Sequence, residues 1–276
     1  MITGVLPLRF EDVAMDGRVR LESLTASLGL VWRDELTKHP LYPWAMSEGI
    51  IPITTRFVLE AGDGPFAIDA PVEARGTWDI QRSVGVGGAT RHFLLTLRTE
   101  LHAPLGRTNL PPPDDAGTRA RVGSVLAEHV FTRPFEEGAK RRVTELGEHG
   151  VSAPVVPWAE PQGALELPPD AKPLGPLERA GEPCRFGLTH TDSNQHVNSL
   201  VYPRLFEDVL LRRLGRGDLL ARHLDVRFRK PSFAGDVLEV LLQPYEREGR
   251  LGAAGVFVEP GAEPKTGRVF LRMELQ

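Results

Sequence analysis

A single cysteine, Cys184, stands in 276 residues, so no intramolecular disulfide can form and no cysteine-built zinc site is available. Long apolar runs are missing as well: nowhere do about 18 apolar residues follow one another, the length a membrane-spanning helix needs. The first ten residues are partly apolar but carry no basic leading segment and no small-residue cleavage site. Neither export nor a membrane span is expected, and a reducing, cytoplasmic setting fits. An excess of positive charge is absent too. Lys and Arg number 33 against 37 Asp and Glu, a formal charge of −4, and no basic cluster is interleaved with aromatics, so nucleic acid is not an expected partner. What is present, 41% hydrophobic and 25% charged residues, excludes wholesale disorder, and the length holds one large domain or two of ordinary size.

The order of elements favours two. Met1 to Arg20 reads as extended. Val19 to Lys38 then carries Leu21, Leu24, Leu28, Val31, Trp32 and Leu36 near helical spacing. Strand-forming stretches follow at Ile50–Leu59, Phe66–Ile80, His92–Leu101 and Gly123–Thr132, separated by glycines including Gly62, Gly64 and Gly85–Gly88. That last run lacks the following helix a phosphate loop requires and predicts a hairpin turn. From about residue 135 the composition turns charged and then proline-rich, with Pro154, Pro157, Pro161, Pro168, Pro169, Pro173 and Pro176. Proline has no backbone donor for a helix or sheet interior, so residues 136–180 read as a linker with a short helix over Glu136–Leu146.

Beyond the linker the opening order recurs: an extended Pro183–Thr189, a polar turn, an amphipathic helix over Ser199–Leu214, and strands near His223–Arg229, Val237–Tyr245, Leu251–Val258 and Arg268–Leu275. Pro203 is tolerated only in a first helical turn, which fixes the helix start near Asn198 or Ser199. Met15-Asp16-Gly17-Arg18-Val19 precedes the first helix as Ser193-Asn194-Gln195-His196-Val197 precedes the second, a faint echo of duplication. The expected fold class is α+β: modules 1–135 and 181–276, with two long helices packed on one continuous antiparallel sheet.

The stretch Thr189-His190-Thr191-Asp192-Ser193-Asn194-Gln195-His196-Val197-Asn198 is almost wholly polar and abuts the apolar helix. One reading is a solvated turn with Asn198 as helix cap. The other is chemical. Unpartnered N–H groups at a helix start can polarise a carbonyl, a histidine can move a proton near neutral pH, and an amide and a carboxylate can orient substrate or water.

Asp192-Ser193-Asn194-Gln195-His196-Val197-Asn198, followed by Tyr202, resembles the signature of the plant and bacterial acyl-acyl-carrier-protein thioesterases. The resemblance implies a tandem hot-dog fold and hydrolysis of fatty acyl thioesters. It places Asp192, Asn194 and His196 at catalytic positions and gives the first module the housing of the acyl chain. In the plant members a catalytic Glu followed by Cys lies in the strand after the helix; here Pro231 and Ser232 fall in that segment, which gives Asp192 more weight. The mechanism expected is water attack assisted by His196 under the steering of Asp192, with Asn194 and helix amides holding the carbonyl; direct attack by Asp192 is the alternative. No cofactor or metal is expected. The expected partners are a fatty acyl thioester on acyl carrier protein or coenzyme A and, among assemblies, a homodimer. A hot-dog acyltransferase or dehydratase and a non-catalytic acyl-binding protein are the competing readings. Asp16-Gly17-Arg18 leaves the first module without the histidine. Cys184, within the extended Pro183–Thr189, reads as an inert thiol, and Trp32, His39 and Trp44 read as packing.

Overall fold

A helix with one apolar stripe buries it best on the face of a sheet, and the chain does so twice. The computed structural model describes residues 1–147, 149 and 151–276, which divide into two units, Met1–Ala159 and Glu160–Gln276.

The first unit opens with β1 (Ile2–Leu6), followed by a helical region comprising a 3-10 stretch, Leu21–Ser27, then α1 (Leu28–Asp34) and α2 (Leu41–Ser47). Four long strands come next: β2 (Ile51–Ala61), β3 (Val72–Val84), β4 (Thr90–Pro104) and β5 (Arg119–Thr132). They form an antiparallel sheet in the order β1-β3-β4-β5-β2. Gly85–Gly88 is the hairpin turn between β3 and β4, closed by Gly85 N donating to Ala89 O at 2.9 Å. In place of the helix expected over Glu136–Leu146 there is a single 3-10 turn, Gly138–Arg141. Residues 153–156 run beside β3, where Arg82 N donates to Pro154 O and Val156 N to Arg82 O.

The first helix is not the single long rod that its spacing predicts. Thr25 Oγ1 donates to Glu22 O at 2.6 Å and Ser27 Oγ to Leu24 O at 2.7 Å. Such hydroxyls compete for the carbonyls of the preceding turn and tighten it to 3-10 geometry. Leu21, Leu24 and Val31 are nevertheless buried on the sheet side, so the apolar stripe survives the change of pitch.

The second unit contains β6 (Lys172–Pro173), β7 (Glu178–Arg185), α3 (Val201–Leu214), β8 (Ala221–Phe228), β9 (Val237–Arg247), β10 (Arg250–Val258) and β11 (Val269–Leu275). Its antiparallel order is β8-β11-β10-β9, with β6 and β7 both paired to β9. Helix α3 has no serine or threonine to disturb it and remains regular for 14 residues. Phe206 inserts where the sheet has Gly255: a Cβ there would lie 2.3 Å from the Phe206 ring. Close helix-to-sheet approach at that point therefore requires glycine. The opposite side of this sheet is covered by residues 161–165, with Ala164 and Leu165 packed against Leu241, Val256, Val258 and Phe270. That segment is pinned by Arg227, which donates to Glu160 O, and by Arg272, which donates to Glu166 O; both arginines pair with the buried Asp225. Each unit is a helix laid over an antiparallel sheet, and the chain is a tandem hot-dog α+β protein. Among the described residues no helix is long and apolar enough to cross a membrane.

Candidate active site

The polar stretch ahead of α3 forms a closed loop. Thr191 and Val197 bridge its base, Asp192 N donates to His196 O at 3.1 Å, and Gln195 N donates to Asp192 O at 2.9 Å. Gln195 takes the left-handed conformation, φ 64°, which L residues adopt at some cost. The loop is anchored to its surroundings by Val197 N, which donates to Ser232 O at 2.7 Å.

Asp192 is held on both oxygens. Its Oδ1 accepts from Asn194 N at 2.9 Å and its Oδ2 from Asn198 Nδ2 at 3.1 Å. Asn198 in turn uses its Oδ1 to accept from Leu200 N at 2.9 Å, so one amide ties the carboxylate to the start of α3. The N-cap of α3 is Leu200 and not the Asn198 that the sequence suggests; Asn198 stands two residues ahead of it and makes a contact with Asp192 that sequence reasoning left out. Tyr202, in the first helical turn, packs its ring against Phe186, Phe228 and Phe257 at centroid distances of 5.6, 6.2 and 5.2 Å. Burial pushes its hydroxyl above the usual tyrosine range; it stays protonated and fixes the helix end on the sheet.

Asp192, Asn194 and His196 thus share one turn. His196 is exposed, and its imidazole packs edge-on against Phe233 with centroids 5.3 Å apart; no side-chain hydrogen bond joins it to Asp192 among the described residues. The Asn194 side chain is exposed. His190 Nδ1 accepts from Gly187 N at 3.0 Å, a turn-closing role. Cys184 lies on β7 opposite Leu238. Burial pushes its thiol above the ordinary value, only partly opposed by Arg212, and a thiol so placed is a poor nucleophile.

Phe233 follows Pro231 and Ser232 in the loop between β8 and β9, and sequence reasoning gave it no role. Asp236 Oδ2 accepts from Phe233 N at 3.0 Å and is paired with Arg268, which also donates to Pro231 O at 3.2 Å. Pro231 and Ser232 therefore offer backbone carbonyls, to Arg268 and Val197, where a carboxylate would stand in the plant pattern. The Arg268–Asp236 pair connects residues 32 apart, which is why no motif foretells it.

The first unit repeats the backbone hydrogen bonds within this loop. Val13 bridges Val19 as Thr191 bridges Val197. Ala14 N donates to Arg18 O, Gly17 N to Ala14 O, Arg20 N to Asp12 O and Ser23 N to Arg20 O; the counterparts are Asp192 to His196, Gln195 to Asp192, Asn198 to His190 and Val201 to Asn198. Gly17, at φ 90°, takes the place of Gln195. The side chains differ. Ala14 stands where Asp192 does, and Asp16 and Arg18, at the positions of Asn194 and His196, neutralise each other at 2.6 Å. Burial pushes the Asp16 carboxyl up, but the backbone and side-chain hydrogen bonds from Arg18 outweigh it and hold it below the usual range.

No protein-family model matches the sequence, and no curated protein matches it. Solved structures do. A protein assigned as an oleoyl thioesterase from Lactobacillus plantarum superposes with a TM-score of 0.64 at 14% identity, over 99% of this chain and 95% of that one. An acyl-ACP thioesterase from Bacteroides thetaiotaomicron gives 0.63 at 12% identity, over 99% and 97%. The 12:0-ACP thioesterase from Umbellularia californica gives 0.61 at 11% identity, over 100% and 93%. This chain has the tandem hot-dog fold of those thioesterases along its whole length.

Proposed function

We propose that the chain hydrolyses fatty acyl thioesters, acyl carrier protein esters above all, at the loop Thr189–Asn198. The observation that carries this reading is the Asp192 carboxylate, fixed by Asn194 N and Asn198 Nδ2 at the start of α3 with His196 on the same turn. Fold alone hosts many activities; the site gives the choice its chemistry.

In the proposed reaction Asp192 takes a proton from water as the oxygen adds to the acyl carbon. Asn194 and the N–H groups ahead of α3 receive the developing oxyanion, and His196 protonates the departing thiolate. Fatty acid and thiol are the products. Both Asp192 oxygens are engaged at the loop while His196 rests on Phe233, which favours direct action by Asp192 on the water over its steering of His196. The acyl carrier protein is favoured as carrier by the names of two of the neighbours that share the fold from end to end.

The test is thiol release measured across an acyl-chain series on acyl carrier protein and on coenzyme A. Release with a higher kcat/KM on acyl carrier protein is expected. Release from coenzyme A esters alone would keep the hydrolase and overturn the carrier; silence across both series would overturn the hydrolase and favour a non-catalytic acyl-binding protein.

A further inference from the structure

Beside the repeated loop of the first unit lies a cavity of about 180 Å³, room for on the order of six waters. Its lining is largely apolar, with Phe10, Val13, Met15, Phe66, Ile68 and Leu110. Three of these leave large surfaces in water: Phe10, Met15 and Leu110 are 70%, 99% and 54% exposed. Isolated apolar side chains on a surface need no explanation, but several around one concavity mark a place where something apolar binds.

The charges at the cavity select the class of ligand. Asp16 is already neutralised by Arg18. Arg107, also in the lining, makes no ion pair and no hydrogen bond among the described residues. The exposed guanidinium is solvated when no ligand is bound; a carboxylate could be held by it in the two-pronged manner that arginine favours, a contact that a neutral ligand cannot match and a cationic one would oppose. We propose that this cavity is a binding site for a small amphiphile with an apolar body and an anionic head, the chemistry of a medium-chain fatty carboxylate. The repeated backbone shapes the concavity while Ala14, Asp16 and Arg18 leave it without catalytic groups, so it binds without turning over. Binding here needs no hydrolysis and stands apart from the proposed thioesterase activity.

Met15 is the natural reporter. In the full chain labelled at its methionine methyls, octanoate should shift the Met15 resonance saturably and leave that of the buried Met273 in place. Octylamine, cationic at neutral pH, should not shift it, and Arg107→Gln should weaken the octanoate response about 3- to 10-fold, the scale of one exposed charged contact. Arg107 is exposed, so the variant keeps the fold. The proposal is overturned by the absence of a saturable shift, by an equal response to octylamine, or by unchanged affinity in Arg107→Gln. A Met15 shift that follows protein concentration without ligand would overturn it in favour of a second copy of the chain as the occupant.

Discussion

The loops Asp12–Ser23 and His190–Val201 share a backbone and differ in what they present. One has Ala14, Asp16 and Arg18, the last two cancelling each other in an ion pair; the other has Asp192, Asn194 and His196 with a fixed carboxylate and an exposed imidazole. The backbone of such a loop is therefore a structural device that starts a helix on a sheet, whatever side chains it presents. In the proposed function, chemistry is an addition of three side chains. Even the position of His190 illustrates this: Asp12 stands there in the first unit, its Oδ2 accepting from Arg9 N as His190 Nδ1 accepts from Gly187 N. Burial pushes the Asp12 carboxyl up, and hydrogen bonds from Arg9 and Ser23 more than offset it, so two different side chains close the same turn.

The sharpest way to break the comparison is to remove the side chains that differ. His196→Ala should lower turnover by about 10²-fold or more, the range of lost acid–base catalysis, while Arg18→Ala, which only frees Asp16, should leave most of it. Equal losses in steady-state assays of the two variants would mean that both loops act.

The units should also part under acid. His129 is buried on β5 against Trp32, and burial lowers its pKa to about 4, with the Leu95 backbone only partly opposing. A histidine that is neutral when folded and free to charge when unfolded gives stability that is complete above about pH 6.5 and is lost as pH falls toward 4. The full loss is on the order of 3 kcal/mol. All four tryptophans lie in the first unit, so urea unfolding followed by tryptophan fluorescence at pH 7 and pH 4.5 reads that unit. His129→Phe should remove most of the difference; an unchanged pH dependence would acquit His129.

A smaller effect is expected at the loop that supports His196. Arg268→Met frees Asp236 and the Pro231 carbonyl and should let Phe233 drift from the imidazole, with a loss of roughly 10-fold in kcat and less in KM, as misplacement of a catalytic group produces. A loss confined to KM would count against a positioning role. The smallest effect is expected at Cys184: Cys184→Ala should turn over near normally, and parent protein treated with an alkylating reagent should keep the proposed activity. Collapse of either with the circular dichroism intact would restore a cysteine mechanism.

Much of this was legible in the sequence because it is local. Alternating strand formers gave the eight long strands that follow the two helical regions, and Pro203, which does lie in the first turn of α3, bounded the helix start, two residues beyond the Ser199 expected. The clustering of Asp192, Asn194 and His196 within five residues made a shared turn unavoidable. The break in the first helix was signalled as well, by Thr25 and Ser27, but apolar spacing does not register hydroxyls that turn back on their own carbonyls. Less legible were contacts made by tertiary packing. The edge contact of Phe233 with His196 and the hold of Arg268 on residues 231–236 join β8, β9 and β11 neighbourhoods distant in the chain. The fate of residues 160–166, laid over the sheet and pinned by Arg227 and Arg272, depends on a buried Asp225 whose partners no linear pattern reveals.

The central claim, that the repeated backbone carries chemistry only where Asp192 stands, is tested most directly by comparing Asp192→Asn with Asp16→Asn in the thiol-release assay. Both changes keep side-chain size and remove one charge. The account predicts that Asp192→Asn lowers kcat by about 10²-fold or more with the fold intact, while Asp16→Asn stays within a few-fold of the parent. Near-parent turnover in Asp192→Asn would contradict it.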